Sequence, residues 1–137
     1  VRTVVDPTTG EVVPTLPSRP PEPLDPGQIS DIAERILRYT QELEDALPDL
    51  DAATSAAADA EADWLEARAR AVIAVADEHP SLTVGERDAR ADVVAADARR
   101  AFLIAREAVK AKREYLHSLR AQLSACQTLA RLLGEVA

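Results

Sequence analysis

Residues 83–133 read TVGERDARADVVAADARRAFLIAREAVKAKREYLHSLRAQLSACQTLARLL, and the spacing of the apolar residues in this stretch decides the fold. Steps of four and three from Val84 fall on Asp88, Ala91, Ala95, Ala98, Phe102, Ala105, Val109, Lys112, Leu116, Leu119, Leu123, Cys126, Ala130 and Leu133. Only Asp88 and Lys112 interrupt the apolar series. A repeat of about 3.5 residues keeps one seam turned toward a partner over many turns, the pattern of a coiled coil. Val94, Ala101, Ala108, Tyr115 and Leu129 hold a neighbouring heptad position and widen the stripe beyond what one partner helix covers. The stretch therefore predicts an intrachain partner and, beyond it, helices of other copies.

The intrachain partner lies upstream. Steps of three and four from Ile29 give Ile32, Ile36, Tyr39, Leu43, Ala46, Leu50, Ala53, Ala57, Ala60, Trp64, Ala67, Ala71 and Ala74, every one apolar. A helix over about 28–78 follows, and at 1.5 Å per residue it would run roughly 75 Å. Pro48 falls opposite the seam, and the heptad phase survives it, so a bend between collinear pieces is expected there. His79-Pro80-Ser81-Leu82 then resists helix, and Thr83 followed by Glu86 matches a capping box that opens a second helix over 84–133. So short a connection implies antiparallel neighbours. Folding about residue 81 would set Trp64 near Ala98 and Phe102 near Ala60, large against small.

Composition supports length rather than a globular centre. Aromatic residues make up 3% of the 137, and alanine dominates, so each seam residue buries little area. The net charge of −8 averages opposed segments. Between Asp25 and Glu66 twelve acids stand against Arg35 and Arg38; between Arg99 and Arg120 seven bases stand against Glu107 and Glu114. That second segment can attract polyanions or face an acidic helix. A single cysteine, Cys126, sits on the seam and reads as a small buried hydrophobe. Nothing approaches a membrane span and the start carries no signal-peptide pattern, so a soluble protein of the cytoplasm is expected. A start at Val1 rather than methionine points to a processed or trimmed end.

Seven of nine prolines fall in residues 1–27, which marks a flexible tail or linker. Within it Thr3-Val4-Val5 and Glu11-Val12-Val13 flank Asp6-Pro7-Thr8-Thr9-Gly10, the composition of a short hairpin around a turn. A lone hairpin is marginal in water, so a partner or another copy would have to order it.

No phosphate loop, dinucleotide turn or metal-ligand spacing is present, and the carboxylates scatter over helix faces; no enzyme, cofactor or metal is expected. His79 reads as a loop residue and His117 as an exposed helix residue. The one constellation is basic. Arg99, Arg106, Arg113 and Arg120 recur every seven residues beside the seam, thickened by Arg100, Lys110, Lys112 and His117. Such a row either pairs with acids such as Glu42, Asp49 and Asp63, across a hairpin or oligomer interface, or tracks a phosphate backbone. For base stacking only Tyr115 and Phe102 are near in sequence. Lys112 on the seam either lifts its ammonium to solvent or selects register and copy number.

The run Tyr115-Leu116-His117-Ser118-Leu119-Arg120-Ala121-Gln122-Leu123-Ser124-Ala125-Cys126-Gln127, ending in Leu129, Leu132 and Leu133 after a long basic amphipathic helix, resembles the small helical recombination proteins of tailed bacteriophages, the UvsY-like mediators among them. Trp64-Leu65-Glu66-Ala67-Arg68-Ala69 is similar to the charged, alanine-rich first arm of such proteins, and Asp6-Pro7-Thr8-Thr9-Gly10-Glu11 looks like tails common in phage and actinobacterial DNA-metabolism proteins. The resemblance implies a ring-like or bundled oligomer assembled through the C-terminal helix. It also implies binding of single-stranded DNA and help in loading a recombinase onto strands covered by single-strand-binding protein. The residues matching the family's DNA contacts are Arg99, Arg100, Arg106, Lys110, Lys112, Arg113 and Arg120; Tyr115, Leu116, Leu119, Leu123, Leu129, Leu132 and Leu133 would hold the oligomer. The Pro-rich tail and the acidity of the first helix depart from that pattern. The expectation is thus an all-α protein, a long antiparallel coiled-coil hairpin, oligomeric, with a flexible N-terminal tail. The competing function is a structural or adaptor coiled coil, for phage assembly or host-factor binding, with no nucleic-acid activity.

Overall fold

A computed structural model describes residues 3–5, 10, 12–14 and 25–136. Apart from one short strand pair the architecture of these described residues is helical. β1 (Thr3–Val5) pairs antiparallel with β2 (Val12–Pro14) in the register Thr3↔Pro14, Val4↔Val13, Val5↔Val12. Gly10 has φ +66°, a conformation that glycine adopts without strain. The expected turn at 6–9 and the proline run at 15–24 lie outside the described residues. Three helices follow: α1 (Pro26–Glu78), α2 (Val84–Val94) and α3 (Ala96–Val136).

α1 opens two residues earlier than the spacing indicated. Asp25 caps it, its carboxylate accepting the Gly27 N–H at 3.0 Å, and Pro26 occupies the first turn, where no amide donor is needed. The helix runs through Pro48 without interruption. Pro48 is exposed, so its ring meets solvent rather than the packed face. At the far end the His79 N–H closes on the Val75 carbonyl at 2.9 Å and the Leu82 N–H on His79 at 3.2 Å. The Arg87 guanidinium donates to the Pro80 carbonyl at 2.7 Å and ties the turn to the next helix. The capping box is formed: Thr83 Oγ1 accepts the Glu86 N–H at 3.3 Å, and Glu86 Oε2 accepts the Thr83 N–H at 3.0 Å.

The single second helix expected over 84–133 is divided. Ala95 has φ −87° and ψ 6°, well off helical ψ, and separates α2 from α3. The ladder nevertheless crosses the joint, Ala95 N–H to Ala91 at 2.9 Å and Arg99 N–H to Ala95 at 3.0 Å. Ala91 and Ala95 are the most enclosed residues described, 0% and 2% exposed, so the joint falls where packing is closest.

α1 runs antiparallel to α2 and α3. Arg68 meets Asp92, Trp64 meets Phe102, Glu42 and Asp49 flank Lys112, and Ile29 and Ile36 share a groove with Ala130 and Leu133. The seam positions from Ile32 to Ala71 are all buried or half-buried, as are those from Asp88 to Cys126. The ends differ: Val75 is buried in place of Ala74, while Val84, Ala130 and Ile29 are exposed. The buried set (Ala71, Val75, Ala91, Ala95, Val109, Leu116, Leu119 and Cys126) contains no fully enclosed large side chain among the described residues.

The aromatic pairing also departs from expectation. Trp64 stacks on Phe102 itself, centroids 5.5 Å apart and planes 9° from parallel, rather than opposing Ala98. Helical side chains lean toward their own N-terminus. In antiparallel neighbours the two lean toward each other, so residues about one turn out of Cα register meet.

Candidate nucleic-acid interface

α3 carries the arginine row on one rigid element. Arg99, Arg106, Arg113 and Arg120 stand about 10.5 Å apart along it, seven residues at 1.5 Å each, and all four are exposed. Arg106 lies over the Phe102 ring, 5.7 Å from its centroid, which restrains the guanidinium beside the seam. Arg100 is exposed and stands 3.9 Å from Asp97 one turn back, too open a pair to hold it firmly. Lys110 is exposed; Lys112 is half-buried.

Two flanks of the helix pair can be told apart. On one, Arg68 of α1 donates to Asp92 of α2 at 2.7 Å. That hydrogen bond, with the attraction of the carboxylate, raises the Arg68 pKa above its ordinary value. The positive charge persists until strong alkali, so the clip is insensitive to pH across the neutral range. Asp92 precedes Arg99 by seven residues and shares its heptad position, so the arginine row continues along this flank. On the other flank Glu42, Asp45, Ala46, Asp49, Lys112 and Tyr115 line an open groove of ≈ 290 Å³.

This division answers one alternative. Glu42 and Asp49 lie across the molecule from the arginine row, and among the described residues no ion pair within 4.0 Å joins any of the four arginines to α1. Lys112 alone of the seven candidate bases faces those acids. The aromatic expectation fares less well. Tyr115 lines the acidic groove, and Phe102 is occupied by Trp64 and Arg106, so neither is free beside the row as a base platform. The Arg68–Asp92 clip joins residues 24 apart, and no spacing within either helix points to it.

The seven residues expected at an oligomer interface also divide. Leu116 and Leu119, 5% and 3% exposed, are already covered within the chain and are unavailable to another copy. Leu123 and Leu133 are half-buried, whereas Tyr115, Leu129 and Leu132 remain about half exposed. His79 and His117 are both exposed and Cys126 is buried. Among the described residues no group of three or more His, Cys, Asp or Glu is placed to hold a metal, and no helix is long and apolar enough to cross a membrane. Comparison with protein-family models, curated proteins and solved structures gave no match.

Proposed function

We propose that the chain is a non-enzymatic accessory protein of phage homologous recombination, a UvsY-like mediator. In this reading it is an antiparallel coiled-coil hairpin that oligomerises through its second arm. It binds single-stranded DNA along Arg99, Arg106, Arg113 and Arg120, with Arg100 and Lys110 beside them, and assists recombinase loading on strands covered by single-strand-binding protein. The supporting observation is the solvent-facing arginine row with no intrachain partner on α1 among the described residues. Regularly spaced guanidiniums on a rigid rod suit a phosphate backbone, and contacts of that kind tolerate any sequence.

The test is a titration of fluorescent oligothymidylate with the full chain and with the Arg106→Glu, Arg113→Glu double variant. Binding that weakens with salt and is lost in the variant supports the reading. Equal binding by the variant would refute it. The adaptor reading is favoured by one observation, the absence of a free aromatic beside the row. An unchanged oligomer that ignores DNA is its expected signature.

A further inference from the structure

Along α1, Glu42, Asp49, Ala56 and Asp63 occupy one heptad position, and along α3, Arg99, Arg106, Arg113 and Arg120 occupy another. Each row spans 21 residues, about 32 Å of helix at 1.5 Å per residue. Both lie on the surface, Glu42 half-buried and the others exposed, yet on opposite flanks of the same molecule. They cannot pair within one chain. They match between chains.

The apolar surface is exchanged in the same sense. On the groove flank α1 is acidic, while Val94 of α2 and Ile104, Tyr115 and Leu132 of α3 are left 68%, 64%, 52% and 46% exposed, with Asp97 the one acid at the heptad position of Ile104 and Leu132. On the arginine flank α3 is basic, and α1 presents Leu37, Leu47 and Leu65, 71%, 45% and 52% exposed, interspersed with the exposed acids Glu44, Asp51 and Glu61 at the same heptad positions. One offset aligns both kinds of surface. Adding 57 to the α1 number pairs Glu42 with Arg99, Asp49 with Arg106 and Asp63 with Arg120, and equally Leu37 with Val94 and Leu47 with Ile104. The remaining pair, Ala56 with Arg113, lacks a charge.

We propose that a second copy of this chain docks its arginine flank on the groove flank of the first, in that register. Opposite charges then lie over one another along one helix pair, while Leu37 and Leu47 meet Val94 and Ile104, and Leu65 meets Gln122, along the other. The contact is front to back, so each docked pair still offers one free flank of either kind and can add further copies. A consequence rests on the single-strand reading above: the strand and the second copy claim the same guanidiniums, so DNA displaces a docked copy.

Sedimentation velocity of the full chain without DNA tests the docking. Association is expected at low salt and is expected to weaken as salt rises. Glu42→Arg, Asp49→Arg, Asp63→Arg and Arg99→Glu, Arg106→Glu, Arg120→Glu triple variants are each expected to sediment as single chains, and an equimolar mixture to associate again. Milder Glu42→Gln, Asp49→Asn, Asp63→Asn neutralisation is expected to weaken association without endangering the helices, whose circular dichroism is followed throughout. Ala56→Glu supplies the missing charge opposite Arg113 and is expected to tighten association about two- to fivefold, the range of an exposed ion pair. A wild-type chain that stays single at low salt, or variants and mixture that sediment like the wild type, would overturn the proposal. Adding oligothymidylate separates the two claims. Release of single chains bound to the strand supports competition, a strand held by intact docked copies overturns it, and no binding at all removes the DNA reading while leaving docking in place.

Discussion

Trp64 and Phe102 meet face to face at half-buried positions, and their contact sets the local register of α1 against α3. Aromatic pairs contribute about 0.5–1.5 kcal/mol beyond the area they bury. A double-mutant cycle of Trp64→Ala and Phe102→Ala, read by urea unfolding, is expected to give a coupling of about that size; strictly additive losses would contradict the stack. Ala91 makes the opposite demand. It is 0% exposed beside the turn that separates α2 from α3, so any larger side chain must push the helices apart. Ala91→Leu is expected to cost about 1–3 kcal/mol in the same assay. The identical change at Ala121, exposed on α3, is expected to be close to neutral.

The elements owe their limits to caps and prolines more than to their seams. Thr83 and Glu86 satisfy each other's free amides at the start of α2. Losing the threonine oxygen strands one amide, so Thr83→Ala is expected to lower stability by about 1 kcal/mol, with Thr83→Ser near wild type. Pro48 works in reverse. It withholds one backbone hydrogen bond in the middle of a 53-residue helix while its side chain touches solvent. Pro48→Ala is expected to raise the thermal midpoint followed by circular dichroism, the helix gaining up to about 3 kcal/mol in intrinsic preference. A lower midpoint would mean that the proline supplies a bend the packing needs. Both features are local in sequence, a residue type at a fixed offset, and so both were readable there. The Asp25 cap, with Pro26 in the first turn, obeys the same grammar but sits inside the proline run, whose density hid it. The joint at Ala95 could not be read at all: alanine favours helix, and no residue type there marks a break.

Over the whole molecule the decisive quantity is charge on two flanks. On the single-strand proposal, four arginines with no partner on α1 among the described residues would neutralise about four phosphates, so a slope of roughly −2.8 is expected when the logarithm of the binding constant for oligothymidylate is plotted against that of salt. A slope near zero would show that the row does not hold the strand. The thin seam gives a second molecular property. With eight residues buried in the described part and several large apolar side chains half exposed, one chain leaves surface for another to cover.

The heptad spacing by itself determined two long helical arms, though not the joint that divides the second, the seam along each and the residues of the arginine row, because a helical period is a local property that every few residues restate. It left open where the acids and the free aromatics stand relative to that row. Glu42 and Asp49 stand at one heptad position of α1 and Tyr115 at one of α3, and which surface of the other rod each meets depends on how the two rods are directed and rolled against each other. Only the packed pair fixes that roll, through contacts such as Arg68 with Asp92 and Lys112 beside Asp49. Tertiary structure thereby turned one alternative, arginines paired with acids in the same chain, into two surfaces facing away from each other.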